Sequence, residues 1–322
     1  MIQDYALYGW RVRSPIELAG PVPSTLVEPD LLLQKVTAGR VPTSTPNGYL
    51  LAQFPSSHVG PKSYWLVSTD ECFLLRAPGR IEFRLSPDLT TVTVVRSAKV
   101  PCDYVRDYFV GNFMSVLLGL AGHSVFHGAA VTIKEGLPAR RVAVAILGGL
   151  GAGKSTTAAL LASVGANFLT DDVLAVKHDS DTPYVVGGST EARLRTGAVT
   201  ICELFPGSPT RATVDNRVAL QLGQPTFDSW PLRLLCFPRV TEVTAVNVTR
   251  MPAMEVALAL AGLQRTLGWD LGRIVRRHFQ SLVDIASKVP SVRLDMPRSQ
   301  KPGAELARSL WAGLEQALKE HP

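Results

Sequence analysis

Over its first hundred residues the chain alternates apolar and polar positions in short runs. They read "YALYGWRVRS", "YLLAQF", "SYWLVS", "ECFLLRA", "IEFRLS" and "TVTVVRS". A period of two is the signature of half-buried strands. Turn signals separate the runs: "TPNG" before Tyr49, "APGR" before Ile81 and "SPDL" before Thr90. The spacing predicts a small β-rich domain over residues 1–102. The period then lengthens. In "CDYVRDYFVGNFMSVLLGL" the residues Val105, Phe109, Val116 and Leu120 sit near helical spacing, with Asp103 placed as an N-cap. This predicts a linking helix within 103–124. From Val125 onward strand-like and helix-like stretches alternate: "AVTI", "RVAVAIL", a helix from Lys154 to Val164 closed by Gly165, then "NFLTDDVLAV". Such alternation predicts an α/β layer structure over 125–322. Near the end, Leu306, Leu310, Leu314 and Leu318 step by four, a helical core stripe.

One stretch demands a decision. Between Tyr108 and Ile133 no Asp, Glu, Lys or Arg occurs, a run long enough to span a bilayer. It is interrupted by Asn112, His123, His127 and three mid-segment glycines (Gly111, Gly119 and Gly122), with a break expected near Gly122. A buried helix followed by a buried strand is the expectation, with no membrane partner. No signal peptide is expected, since Asp4, Arg11 and Arg13 interrupt any apolar core.

Composition adds little. The 322 residues are 46% hydrophobic and 19% charged, as in an ordinary folded protein with room for two cores. The net charge of +6 is spread over isolated arginines without a block of five like charges. A nucleic-acid partner is therefore not expected, whereas a phosphorylated ligand is compatible. Cys72, Cys102, Cys202 and Cys236 lie far apart with no CxxC. They predict buried free thiols in a reducing compartment, hence a cytoplasmic protein. No His/Cys cluster has zinc spacing, and no Gly-x-Ser-x-Gly elbow appears.

The chemistry concentrates at Gly148, Gly149, Leu150, Gly151, Ala152, Gly153, Lys154 and Ser155, a complete G-x-x-x-x-G-K-[ST] match followed by Thr156. Glycines let the backbone curl so that successive N–H groups face phosphate oxygens, and the following helix adds its positive end. In such a loop the lysine reaches the β- and γ-phosphates and the Ser hydroxyl ligates Mg²⁺. An apolar β-run before the loop and an Ala/Leu helix after it supply the expected context. Only 16 residues lie between Lys154 and the pair Asp171-Asp172. A helix of about ten residues rises about 15 Å, Gly165 allows a turn, and "NFLT" can carry the chain back beside the loop. As neighbours on a strand the two aspartates would point to opposite faces. One would serve Mg²⁺ and the other would accept a proton from an attacking hydroxyl.

His127 in "FHGAAV", the loop "GGLGAGKST" and "GANFLTDDV" follow one another in an order that resembles the catalytic domain of HPr kinase/phosphorylase. The resemblance covers about Val125 to Val176. It extends more loosely through "GGSTEARLRTGAVTICELFPG" to "RRHFQSLVDIASKVPSVRLDMPR", an ending similar to HPr-kinase-related proteins often found beside peptide-modification genes. It implies a compact P-loop kinase domain whose core is shared with PEP carboxykinase, here preceded by a different, β-rich N-terminal domain. It further implies ATP and Mg²⁺ as cofactors, with Lys154 and the loop amides on the phosphates and Ser155 on the metal. Asp171 would be the base, Asp172 the metal-side carboxylate and His127 a neighbour of the site; the order within the aspartate pair is open. Since HPr kinase assembles into oligomers, a homo-oligomer is compatible with the resemblance. One departure is evident. Where the family carries "EIRG" with a metal-associated glutamate, this chain reads "ARLR", leaving Glu191 as the substitute.

Arg193, Arg195 and Arg217 are candidates to neutralise a transferring phosphoryl group, since the guanidinium fork suits phosphate oxygens. His278 falls on the apolar side of "LGRIVRRHFQSLVDIA" and reads as a packed histidine. Arg273, Arg276 and Arg277 on that helix offer a basic face. The leading expectation is an ATP- and Mg²⁺-dependent kinase acting on a hydroxyl, most simply a serine of a peptide or protein. A small-molecule hydroxyl kinase, an NTPase switch and a non-catalytic nucleotide-binding protein are the alternatives.

Overall fold

The computed structural model describes residues 2–23, 26–54, 64–135, 140–179, 182–265 and 272–320. The architecture is mixed α/β with three sheets. The first sheet holds β1 (Gln3–Leu7), β2 (Trp10–Ser14), β3 (Pro21–Val22), β4 (Leu31–Ala38), β5 (Tyr49–Phe54), β6 (Tyr64–Ser68), β7 (Phe73–Ala77), β8 (Ile81–Leu85) and β9 (Thr91–Arg96). Its order is β3-β1-β2-β4-β9-β8-β7-β6-β5. From β5 to β9 it is an antiparallel meander, as the alternating runs and turn signals lead one to expect. The stretch Leu31–Ala38 carries no such clean alternation. It nevertheless forms β4, running parallel to both β2 and β9. Parallel pairing needs a crossover and not a hairpin, so it leaves no local turn signature.

The segment expected as one linking helix is three helical pieces. These are α1 (Cys102–Tyr108), a π-helical turn (Phe109–Phe113) and α2 (Met114–Leu120). Asp103 lies inside the first turn of α1; Pro101 holds the N-cap position and no side chain caps it. The segment is also more than a link. Val105, Phe109, Phe113, Met114 and Leu117 are fully buried in one core with Leu7, Val12, Phe83 and Val94 of the first sheet. Phe83 stacks on Phe113 with ring centroids 4.8 Å apart. The chain turns at Gly122, whose φ of 92° favours glycine, and continues into buried strands. No helix among the described residues is long and apolar enough to cross a membrane.

The second sheet contains β10 (Ser124–Phe126), β11 (Gly128–Glu135), β12 (Arg140–Leu147), β13 (Asn167–Thr170), β14 (Leu174–Asp179), β15 (Thr182–Val186), β19 (Ser229–Thr241), β20 (Asn247–Arg250) and β21 (Ser291–Pro297). A small third sheet orders β16 (Glu191–Leu194), β18 (Val218–Gln221) and β17 (Thr210–Ala212). Apolar β12 is central, parallel to β19 on one side and antiparallel to β11 on the other. Burial on both faces explains why "RVAVAIL" lacks alternation. Helix α3 (Lys154–Ser163) and the terminal α6 (Ala304–Lys319) cover one face. The α6 leucines Leu306, Leu310, Leu314 and Leu318 are all buried there. The other face is covered by α4 (Ala253–Leu263) and α5 (Gly272–Lys288). His278 on α5 is buried, as its apolar neighbours imply. Of the basic face expected on that helix, Arg276 is exposed, and the side chains of Arg273 and Arg277 lie outside the described residues.

The cysteines depart from expectation. All four are free, but only Cys236 is buried; Cys72 and Cys202 are half-buried and Cys102 is exposed. Cys102 opens α1 at the surface, where the apolar face of the helix turns away from it.

Candidate active site

Residues Gly148–Gly153 form the connection from the end of β12 to α3. Gly151 and Gly153 take φ values of 81° and 93°, a region that residues with a Cβ rarely adopt. Gly153 also stands at the N-cap of α3 and no side chain caps the helix, so its first-turn amides keep their positive end for an anion. Gly149 and Leu150 are exposed at the tip, while Ala152 and Thr156 are half-buried. Lys154, 6% exposed, donates from Nζ to the carbonyls of Gly148 at 2.8 Å and Gly149 at 2.9 Å. Burial draws the Lys154 pKa down to about 8, against the pull of Asp171 and Asp172.

After α3 the chain reverses through Gly165 (φ 118°), and β13 pairs antiparallel with β11. This return delivers the two aspartates to the loop. They do not continue the strand as the period-two expectation required. Strand β13 ends at Thr170, and Asp172 adopts φ 70°, the left-handed region. The Thr170 hydroxyl donates to the Val173 carbonyl at 2.8 Å and closes this turn. The two carboxylates consequently face different neighbourhoods.

Asp171 faces the loop. Its Oδ1 accepts from the Ser155 hydroxyl at 3.0 Å and its Oδ2 from the Arg193 backbone N–H at 2.8 Å. Burial raises its pKa, partly offset by these hydrogen bonds. Asp172 faces away from Ser155. Arg265 binds it with two parallel hydrogen bonds, Nη1 to Oδ1 and Nη2 to Oδ2, each 3.0 Å. Arg193 Nη1 lies 3.5 Å from Oδ2, and His127 Nδ1 lies 3.2 Å from Oδ1. Burial opposes the charge on Asp172, yet Arg265, His127 and Arg193 outweigh it and hold the carboxyl well below its usual range. The Ser155 hydroxyl is thus seated on Asp171, whereas the family resemblance implies Asp172 on the metal side.

Arg265 has no sequence motif around it and escaped the reading of the chain. Backbone pairing places it: the Arg265 N–H donates to Val125 O at 2.9 Å and the His127 N–H to Leu263 O at 3.0 Å. Its Nε donates to Ser115 Oγ at 2.9 Å, and that hydroxyl donates to Gly111 O at 2.7 Å. Only the fold brings residues 111, 115, 127, 172 and 265 together. The remaining candidates divide. Arg193 joins the cluster, pairing with Asp172 and, at 3.8 Å, with Asp107. Arg217 is paired with Asp215 at 2.9 Å, and Arg195 is exposed. Glu191 does not stand in for the missing glutamate. Both its oxygens accept from Arg211, at 2.8 and 2.6 Å.

Asp172, His127, Arg193 and Arg265 line a cleft of about 730 Å³. The lining also takes in Tyr64 of the first sheet, Arg80 of its β7–β8 turn, Tyr104 and Tyr108 of α1, and Asn112 of the π-helical turn.

No protein-family model and no curated protein matches the chain. Among solved structures, the Hpr(Ser) kinase/phosphatase from Coxiella burnetii is similar at 13% identity, covering 61% of this chain and 91% of that one with a TM-score of 0.31. At that score the overlap carries no argument about fold or chemistry.

Proposed function

We propose that the protein is an ATP- and Mg²⁺-dependent phosphotransferase that moves the γ-phosphoryl group to a hydroxyl, most simply a serine of a peptide or protein. In this reading residues 125–322 are a P-loop kinase core of the kind shared by HPr kinase and PEP carboxykinase. Residues 1–102 are its β-rich front, joined through 103–124. The observation that supports it is the division of the aspartate pair, one carboxylate on the loop hydroxyl and the other lining a cleft.

The donor set fits the cofactors. Mg²⁺ takes oxygen ligands, often one or two from protein with waters and phosphate oxygens completing the shell. The Ser155 hydroxyl and the Asp171 carboxylate are two such oxygens, adjacent at the N-terminus of α3. Bound there, Mg²⁺ supplies charge neutralisation and alignment of the phosphate oxygens. The loop amides and Lys154 hold the phosphates, Lys154 exchanging its two carbonyl partners for phosphate oxygens.

On the acceptor side, Asp172 with His127 beside it takes the proton as the acceptor oxygen bonds to the γ-phosphorus. The bond from that phosphorus to the β-bridging oxygen breaks and ADP leaves. A carboxylate with a low pKa suffices, because a loose transition state releases the hydroxyl proton late. Arg265 and Arg193 fix Asp172 in its ionised form and face the developing charge. The roles of Asp171 and Asp172 are therefore the reverse of the order that the resemblance implies.

The test is incubation with γ-labelled ATP and Mg²⁺ in an extract of the source cell, followed by identification of the labelled species. Label on a hydroxyl acceptor supports transfer. Rapid release of phosphate without an acceptor indicates an NTPase switch, and nucleotide binding without either indicates a non-catalytic binding protein.

A further inference from the structure

The cleft is lined by more than Asp172 and its partners. Four arginines line it, Arg80, Arg193, Arg217 and Arg265, against three aspartates, Asp107, Asp172 and Asp215. Three of the arginines are neutralised within the wall: Arg265 by Asp172, Arg193 by Asp172 and Asp107, and Arg217 by Asp215. Arg80 differs. It follows the Pro78-Gly79 turn of the β7–β8 hairpin, and among the described residues no carboxylate pairs with it. Its guanidinium lies over the Tyr104 ring, 5.9 Å from the centroid. The hairpin is well anchored, with Gly79 N–H on Pro42 O, Arg80 N–H on Ala77 O and Ser97 N–H on Arg80 O. Beside it Tyr104 stacks on Tyr108, centroids 5.7 Å apart. The Tyr108 hydroxyl is screened from water; Asn112 is its neighbour, but no hydrogen bond of acceptable geometry satisfies it. A half-buried cation and a buried hydroxyl, each without a full partner, thus line the same cleft as Asp172. Of the phosphate loop the cleft touches only Leu150.

We propose that this wall is the recognition site for an acceptor that carries a carboxylate in addition to its reacting hydroxyl. The carboxylate docks on Arg80, and the body of the molecule lies on the Tyr104–Tyr108 face with a polar group on the Tyr108 hydroxyl. Calling the ligand an acceptor rests on the phosphotransfer reading; its binding does not. Arginine over an aromatic face is suited to this task, since the ring leaves the edge of the fork open to a planar anion. The other arginines are already engaged, so specificity for the anion resides in the N-terminal sheet and not in the loop that binds nucleotide. The carboxylate has two conceivable sources, an acidic residue near a serine in a peptide and a free hydroxy acid.

Equilibrium dialysis of the full chain with ADP and Mg²⁺ tests the proposal. One arm offers an equimolar pool of serine hexapeptides containing Asp or Glu, only neutral residues, or Lys. A second arm offers malate, tartrate and glycerate beside their uncharged alcohols. Retained compounds are quantified by mass spectrometry. Anionic members should be enriched roughly tenfold, about 1.4 kcal/mol, in the arm that matches the source. Arg80→Gln should abolish the enrichment and Arg80→Lys should keep part of it, both with unchanged melting temperature. No anion preference in either arm, or a preference that survives Arg80→Gln, overturns the proposal. Retention of anions by a protein that transfers no label sinks the kinase reading and leaves the anion site standing.

Discussion

The Tyr8 hydroxyl donates to the Val110 carbonyl at 3.1 Å, joining a hairpin tip of the first sheet to the π-helical turn 102 positions later. Tyr8 and Gly9 have φ of 54° and 78° between the paired residues Leu7 and Trp10. That is the geometry of a two-residue type I′ turn, where Asn or Gly is usual. A tyrosine there costs about 1–2 kcal/mol of backbone strain. The ring is 1% exposed and packs beside Gly188, where a Cβ would approach it to 2.6 Å. The π turn then presents Gly111 to the Asp172–Arg265 pair. The first sheet thereby supports the site as well as one wall of the cleft.

Tyr8→Phe removes the donor and leaves Val110 O buried without it. A loss of about 1–3 kcal/mol is expected, read as a lower urea midpoint with an unchanged m-value. A midpoint equal to the parent's would show that the contact does not support the π turn.

Asp171→Asn and Asp172→Asn should separate the two carboxylates. The first should raise the Mg²⁺ concentration needed for nucleotide binding. The second should leave that requirement within severalfold and reduce transfer by about 10²–10⁴-fold, the usual range for a lost acid–base group. Mg²⁺ titrations of nucleotide affinity and single-turnover transfer give both readouts. The opposite pattern would restore the order implied by the family resemblance.

Removing Arg265 exposes what it does for Asp172. Arg265→Met leaves a buried carboxylate without its bidentate partner, a change that costs about 3–5 kcal/mol in comparable pairs. Since Arg265 holds the Asp172 pKa low, its loss raises that pKa. The parent gains stability from ionised Asp172 above the ordinary carboxylate pKa and loses it as pH falls through the depressed folded value. In the variant that loss, and the acid limb of the transfer profile, should both move to higher pH. An unmoved acid limb in a folded variant would remove Asp172 as the titrating group.

Lys154 gives the alkaline limb. Its folded pKa of about 8 lies below the ordinary lysine value, so the unfolded chain binds more protons between about pH 8 and 10.5. Its contribution to stability therefore rises with pH across that window. Nucleotide binding runs the other way, because only the ammonium holds phosphate. Affinity should fall above about pH 8, and Lys154→Arg should flatten that fall since a guanidinium stays charged. Equilibrium binding of ADP with Mg²⁺ from pH 7 to 10 measures it.

The meander of the first sheet, the buried strand before the loop, the leucine stripe of α6 and the return of the chain after α3 were all legible in the amino-acid order. Each leaves its mark in the local period of apolar residues or in turn residues, whatever it finally packs against. Strand β4 was not legible, because it lacks clean alternation and pairs parallel to β2 and β9, so no hairpin turn announces it. The left-handed turn at Asp172 was not legible either. Nothing local distinguishes an aspartate that continues a strand from one that the Thr170–Val173 contact turns aside.

By itself the order of residues determined that a glycine loop would meet a helix start, with a lysine, a serine and two aspartates within one βαβ-sized stretch. Only the tertiary structure decided which aspartate meets the serine, which arginine holds the other, and that a sheet from the opposite end of the chain closes the cleft. The physical reason is one of range. Backbone preference and apolar period act between near neighbours, whereas charge pairing and cavity shape depend on side chains that packing alone makes adjacent.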